Sequence, residues 1–290
     1  MGECGRHTSN PDHVWHESVR IVENVGVARD TYRVRFDCPT IARRILPGQF
    51  VMLRIAGTND PLLGRPLAMY NVVRDESGEP RGLDIVYQAI GRMTRRLAVM
   101  KPGNALEAWG PLGNGFPPVA TGHLIMVGGG IGQTPFLALG RHYLGVEAYG
   151  DPPRLLPPIP RVSLCYGCRT VEYLAGVDDF RRSGIEVHVS TDDGSHGHRG
   201  SVLDLVPPLV EGSAMPCRIV ACGPEKMLHA TVAMAGRLGL ACQVSLESPM
   251  ACGIGICFSC VTKIRDAEGE WDYRRICVEG PVFDAADVEF

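Results

Sequence analysis

His123-Leu124-Ile125-Met126-Val127-Gly128-Gly129-Gly130-Ile131-Gly132-Gln133-Thr134-Pro135 reads as an apolar strand that enters a glycine loop and then a helix. Glycines at such a junction let a dinucleotide approach the backbone, with its pyrophosphate at the helix N-terminus. The loop is not a strict G-x-G-x-x-G, so on its own it fits either a variant nucleotide loop or a structural turn. The surrounding rhythm sets the class. Apolar strands recur at Arg161-Val162-Ser163-Leu164-Cys165, Ile185-Glu186-Val187-His188-Val189 and Cys217-Arg218-Ile219-Val220-Ala221, and helix-like segments lie at 133–144, 171–181 and 226–238. This alternation predicts a parallel α/β sheet over residues 119–240. Cys222, Gly223 and Pro224 follow a strand end, where open α/β sheets place ligands. With Gly129, Gly130 and Gly132 they form the candidate dinucleotide contacts, Cys222 being either a buried apolar residue or a group lining the nicotinamide site.

Upstream, over residues 15–118, short strands alternate with turns. Arg20-Ile21-Val22, Tyr32-Arg33-Val34-Arg35-Phe36, Phe50-Val51-Met52-Leu53-Arg54-Ile55 and Leu83-Asp84-Ile85-Val86-Tyr87 are rich in β-branched and aromatic residues. Pro47-Gly48 and Asn59-Asp60-Pro61 carry turn chemistry, and 75–80 reads as a hairpin loop. Short strands at this spacing predict a small antiparallel barrel. Within it, Arg65-Pro66-Leu67-Ala68-Met69-Tyr70 places an arginine where it can clamp a phosphate, or where it is simply a surface arginine on a strand. Gly91-Arg92-Met93-Thr94 reads as a turn into a helix, whose free N–H groups suit a pyrophosphate or mark no more than a helix start.

Downstream, Cys252-Gly253-Ile254-Gly255-Ile256-Cys257-Phe258-Ser259-Cys260 is followed by Cys277 with sixteen residues between. Gaps of four, two and then many are the plant-type [2Fe–2S] spacing. A short loop wraps three thiolates, and the fourth returns from a separate strand or turn. Gly253 and Gly255 remove Cβ atoms where the backbone must turn its N–H groups towards sulfur. Zinc is the rival, although structural zinc sites usually pair two short knuckles. Disulfides are the other alternative, and fit poorly in a chain without a secretion signal. Cys252, Cys257, Cys260 and Cys277 are therefore the candidate ligands, in a module spanning residues 241–290.

Bulk properties narrow the function further. The chain has 290 residues, a formal net charge of -3, 45% hydrophobic and 21% charged residues. That balance suits two or three small domains with real cores and gives no support to nucleic-acid binding. No run of eighteen apolar residues occurs, so no membrane span is expected. The polar start carries Cys4, His7, His13 and His16 without an apolar signal region, and reads as a frayed tail, with metal binding as the alternative. Eleven cysteines without an export signal predict a reducing, cytoplasmic setting with some of them as ligands. Cys165-Tyr166-Gly167-Cys168 invites a redox or zinc reading, yet Cys165 lies in an apolar strand and no second knuckle is free. His196 and His198 read as loop residues, with chelation the alternative.

Barrel, nucleotide sheet and terminal cluster, in that order, resemble the ferredoxin–NADP⁺ reductase superfamily. More specifically, the chain is similar to the electron-transfer subunits of the heteromeric, NAD-dependent dihydroorotate dehydrogenases. The matching residues are Arg65-Pro66, the run 110–116, the loop 128–135, Asp193-Gly194-Ser195 with Gly200, Cys222-Gly223-Pro224, and 250–255. Cys277-Val278-Glu279-Gly280-Pro281-Val282-Phe283 matches the family's terminal cysteine context. The resemblance implies FAD held by Arg65, Pro66, Leu67 and Ala68, by Val86, Tyr87 and Gln88, and by Met93 and Thr94. It implies NAD as co-substrate on the two glycine loops, and an FMN-containing catalytic partner, in a heterotetramer serving pyrimidine biosynthesis. No general acid or base is expected in this chain. Two positions depart from the family: Ala68 stands where Ser is usual, and Met93 where Gly is usual. They leave open a flavin and iron–sulfur reductase feeding another acceptor, or a binding protein with a decayed flavin site.

Overall fold

The computed structural model describes residues 13–290. Cys4 and His7, in the polar start, lie outside the described residues.

The first unit is one curled antiparallel sheet of seven strands in the order β4-β3-β7-β1-β2-β6-β5. Its strands are β1 (Trp15–Ala28), β2 (Thr31–Asp37), β3 (Phe50–Ile55), β4 (Arg65–Ala68), β5 (Asn71–Arg74), β6 (Pro80–Gln88) and β7 (Ala105–Leu112). Val34, Phe36, Leu53, Leu83, Ile85, Tyr87 and Leu106 turn to one side and are buried together. That is the period-two pattern of a sheet with one covered face. The hairpin expected at 75–80 joins β5 to β6, and the Asp75 carboxylate accepts from Ser77 and Glu79 across its turn. Past β4 the chain closes back on β6, where Tyr70 N–H donates to the Asp84 carbonyl at 3.0 Å. Helix α1 (Pro39–Arg44) plugs one end with Ile41 and Ala42, and α2 (Arg92–Ala98) plugs the sheet with Met93, Thr94 and Leu97.

The second sheet runs β11-β10-β9-β8-β12-β13-β16. Here β8 is His123–Gly129, β9 Arg161–Cys168, β10 Glu186–Thr191, β11 His198–Arg199, β12 Cys217–Cys222, β13 Cys242–Ser245 and β16 Val282–Asp284. All neighbours are parallel except β16, which runs antiparallel to β13. Six consecutive buried residues in β8 reflect a strand covered on both faces. The covering helices are α3 (Phe136–Tyr143), α4 (Val177–Arg182), α5 (Val206–Glu211) and α6 (Glu225–Leu238), the last closed by Gly239 at φ +65°. Two helix expectations shift in detail. Residues 130–133 form a 3₁₀ turn before α3, because the glycines and Pro135 delay a regular helix. Residues 171–181 split into a 3₁₀ turn and α4 around Gly176, at φ +72°.

Beyond β13 the cysteine loop leads to a two-stranded hairpin, β14 (Val261–Arg265) and β15 (Trp271–Arg275). This segment shares a core with both sheets. Phe50, Met52 and Leu112 of the barrel, Val127 and Val244 of the parallel sheet, and Cys260, Ile276 and Cys277 belong to one buried cluster.

Candidate functional site

The four cysteines come from two segments of the chain. Cys252, Cys257 and Cys260 lie on the loop after β13, and Cys277 follows β15. Gly253 and Gly255 take φ of +76° and +85°, and Phe258 takes +56°, so the loop reverses repeatedly within six residues. Packing also demands glycine at both positions. A Cβ on Gly253 would stand 2.7 Å from Met52 Cγ, and one on Gly255 2.6 Å from Val278 Cγ2.

Cys260 and Cys277 are buried, Cys252 is partly buried, and Cys257 is exposed. The Ile254 N–H points at Cys252 Sγ at 3.4 Å, and Ser259 Oγ lies 3.2 Å from Cys257 Sγ. Those Ser259 contacts, and a further one from Cys252, lower the Cys257 thiol to about 6. Cys260 drops to about 6 because it shares a hydrogen bond with Cys277, whose own proton is held correspondingly tightly. Among the described residues no three or more His, Cys, Asp or Glu side chains close on a single-ion position. The sulfurs stand as two pairs instead, all of them free thiols. Free soft donors and an N–H group aimed at sulfur fit an iron–sulfur centre.

Two residues outside the cysteine loop fix its position. Trp109 of β7 donates from Nε1 to the Cys252 carbonyl at 2.9 Å. Asn114 grips the terminal segment with its whole amide: Nδ2 donates to the carbonyls of Glu279 and Val282, and Oδ1 accepts from Val282 N–H. Gly113, at φ +78°, lies so close to Pro281 that a Cβ would meet its Cδ at 2.5 Å. The run 110–116 thus clamps the returning Cys277 segment onto the barrel. In sequence this run shows only as a family match, and its further signal is an Asn between two glycines, a shape suited to gripping backbone.

The candidate flavin residues fall on three elements of the barrel, β4, the end of β6 and α2. Arg65, Pro66, Leu67 and Ala68 form the half-buried edge strand β4, paired with Leu53, Met52, Val51 and Phe50. An edge strand tolerates Pro66 because its missing N–H costs no ladder bond. Arg65 Nη1 rests on the carbonyls of Leu63 and Gly64, so the guanidinium keeps further donors. Val86, Tyr87 and Gln88 end β6, where Tyr87 faces the barrel core and Val86, paired opposite Arg33, is buried on the other face in the cluster shared with the parallel sheet. At α2, Gly91 N–H donates to Thr94 Oγ1 at 3.1 Å. Met93 is fully buried in the barrel core. Its side chain therefore adds no bulk to the outer face where the usual glycine would leave space, and its backbone N–H stays at the helix start. This arrangement fits FAD.

The two glycine loops meet. Strand ends β8 and β12 lie side by side, with Gly128 opposite Cys222. A Cβ on Gly132 would stand 2.3 Å from the Cys222 carbonyl oxygen, and one on Gly129 2.6 Å from Met227 Sδ. These glycines let one loop seat on the other. Gly130, at φ +55°, has nothing within 4 Å of its absent Cβ and is the open face of the pair. Burial first, and then the Glu247 charge, pushes the Cys222 thiol far up, so it stays protonated.

The other sequence candidates are structural. Burial raises the Cys165 thiol to about 12, and Cys168 donates to the Thr170 carbonyl at 3.1 Å. Neither is an activated thiolate. His198 pairs with Asp204, and the His196 N–H donates to Thr191 Oγ1.

Two family models match parts of the chain. Residues 18–116 match the oxidoreductase FAD-binding domain, and 247–289 match the iron–sulfur cluster binding domain of dihydroorotate dehydrogenase B. The dihydroorotate dehydrogenase B (NAD(+)) electron transfer subunit of Fusobacterium nucleatum is 33% identical over 279 residues, 94% of this chain and 98% of the relative. The chain belongs to the family of dihydroorotate dehydrogenase B electron transfer subunits. The same subunit of Desulforamulus reducens is 35% identical over 259 residues, 89% of this chain and 92% of that one. Among solved structures, an NADH-dependent reduced ferredoxin-NADP oxidoreductase shows 26% identity and a TM-score of 0.76, covering 93% of this chain and 89% of its own. A ferredoxin reductase of carbazole 1,9a-dioxygenase, 23% identical with a TM-score of 0.64 over 78% of this chain and 67% of its own, shares the fold. As a dihydroorotate dehydrogenase B electron transfer subunit, the protein is an oxidoreductase component with an FAD-binding domain and an iron–sulfur domain. No helix among the described residues is long and apolar enough to cross a membrane.

Proposed function

We propose that the chain carries electrons between NAD(H) and a separate FMN-containing catalytic subunit that interconverts dihydroorotate and orotate, the two forming a cytoplasmic heterotetramer. Residues 15–118 hold FAD, 119–240 receive NAD, and 241–290 carry a [2Fe–2S] cluster. When bound, the flavin supplies the conversion between a two-electron hydride and single electrons, and the cluster supplies a one-electron relay.

The chain's own residues hold and insulate. Arg65 pairs with flavin phosphate, while Pro66, Leu67, Ala68 and Gln88 line the flavin, Val86 and Tyr87 offer it only backbone because their side chains are buried, and the N–H groups at Met93 and Thr94 receive its pyrophosphate. Gly129, Gly130, Gly132, Cys222, Gly223 and Pro224 form the dinucleotide seat, with Cys222 as a neutral thiol. Cys252, Cys257, Cys260 and Cys277 ligate iron, and N–H groups towards sulfur together with burial set the potential.

One observation carries this reading. Met52 pairs with Pro66 on one side and packs against Gly253 on the other, so a single strand separates the flavin strand from the cysteine loop. Mixing the isolated chain with NADH is the test. It should bleach its own flavin absorption and should not oxidise dihydroorotate; dihydroorotate oxidation without a partner would overturn the assignment. A second reading, a reductase serving another acceptor, draws support from the likeness to the NADH-dependent ferredoxin-NADP oxidoreductase. Co-purification of the chain from its native cell distinguishes the two by the subunit it brings down.

A further inference from the structure

Along β13 and just past it the side chains alternate between two faces. Cys242, Val244 and Leu246 turn into the cluster that also holds Cys260 and Cys277, so Gln243, Ser245 and Glu247 turn to the opposite face. The Leu246 N–H donates to the Pro281 carbonyl at 2.9 Å and carries the extended pairing with the β16 segment past Ser245.

That opposite face is turned to the barrel. Gly128, Cys222, Ser245 and Val282 lie in one row across β8, β12, β13 and β16. Cys222 and Val282 share a buried cluster with Tyr70 and with Val86 at the end of β6. Ser245 is buried between them and hydrogen-bonds the Cys222 sulfur. Glu247 comes next on this face, close enough for its charge to act on Cys222.

Glu247 reaches solvent, yet the protein around it is dense enough to hold its carboxyl above the ordinary carboxylate range. A side chain that is both accessible and crowded lines a recess. Burial alone shifts this group, with no opposite charge to offset it. Other carboxylates where barrel and sheet meet, Asp84, Glu147 and Asp179, each have an arginine. A desolvated carboxylate without a partner is stabilised by a cation placed beside it.

On the reading of the two glycine loops as the dinucleotide seat, the group that arrives at Cys222 is the nicotinamide, the part of NAD that must meet the flavin of the barrel. Its ring is neutral in NADH and cationic in NAD⁺. As NADH gives up hydride, a ring C–H bond breaks, both electrons leave with the hydrogen for the flavin, and the positive charge stays on the ring.

We propose that Glu247 is the fixed counter-charge of the oxidised nicotinamide, favouring NAD⁺ over NADH in the seat and stabilising the positive charge that develops as hydride leaves. The proposal rests on the dinucleotide seat and adds to it a residue outside both glycine loops.

Isothermal titration of the purified, FAD-loaded, oxidised full chain tests this with two probes. One is NAD⁺; the other is tetrahydro-NAD, whose ring carries no charge and cannot donate hydride. Glu247→Gln keeps the shape and removes the charge, so it should weaken NAD⁺ about tenfold and leave tetrahydro-NAD within about twofold of wild type. Glu247→Asp keeps the charge and should recover most of the NAD⁺ affinity. Flavin bleaching by NADH should slow in the Gln variant by a similar factor, since the same charge develops on the way to the product. Equal weakening of both probes would mark Glu247 as a structural residue, and an unchanged NAD⁺ affinity would leave it no role; either result overturns the proposal while the seat stands. Failure of the wild type to bind either probe would overturn the seat and the proposal together.

Discussion

Trp109 holds Cys252 by its backbone: the indole Nε1–H donates 2.9 Å to the Cys252 carbonyl, across 143 residues of sequence. That bond ties the first of the candidate cluster cysteines to a barrel strand whose other neighbours are β1 and β3. Trp109→Phe keeps most of the packing and removes one donor, at a cost of about 1 kcal/mol. Iron should still load, but its release to a chelator should run several-fold faster than in wild type. An unchanged release rate would mean that the barrel does not brace the cluster loop.

The ligand assignment separates cysteines that look alike in the sequence. Cys257→Ser replaces a soft thiolate with a hydroxyl and should lose most of the iron and its visible absorption. Cys168→Ser should leave both intact, because Cys168 serves only the Thr170 carbonyl. Equal iron content in the two variants, measured after desalting, would contradict the assignment.

Flavin retention and barrel stability should come apart at two residues. Arg65→Ala removes charge-assisted bonds worth about 1.5–3 kcal/mol, so FAD affinity should fall roughly 10- to 150-fold while iron stays bound. Met93→Ala should leave FAD content unchanged, yet cost about 2–4 kcal/mol of stability from the cavity it opens in the core. Gel filtration followed by denaturant titration reads both. Normal FAD content in Arg65→Ala would remove the flavin from β4.

Acid sensitivity should trace in part to His123. It is fully buried beside Ser163 Oγ at 2.8 Å, and burial, with Arg161 adding to it, lowers it to about 4. The unfolded chain binds this proton near pH 6.5, so below that pH the unfolded state holds more protons than the folded one. Stability should therefore be complete above about pH 6.5 and decline as pH falls towards 4, by up to about 3 kcal/mol. His123→Gln should flatten that slope in urea melts at pH 5 and pH 7.5. An equally steep slope in the variant would assign the loss elsewhere, for example to the buried His142.

Much of this architecture was legible residue by residue. The apolar run of β8, the alternation of β2 and the cysteine spacing are local signals, set by periodicity and by the geometry of the groups they hold. What escaped was decided by distant partners. β7 carries Glu107, Gly110 and Pro111, and becomes a central strand only through its neighbours β1 and β3. β16 has three residues and pairs with β13 some forty positions away, which no local pattern announces. The direction of Met93 is equally nonlocal, since only the closed barrel defines its inside. Asn114 looked like part of a turn and proved to be the grip on the Cys277 return.

The central claim is that the cluster lies on the path between flavin and partner. Stopped-flow spectra of wild type and Cys257→Ser, each mixed with NADH and then with the FMN-containing catalytic subunit and orotate, test it most directly. Both proteins should reduce their flavin with NADH at similar rates, and only the wild type should pass electrons on to form dihydroorotate. Undiminished NADH-to-orotate turnover in the clusterless variant would contradict the account.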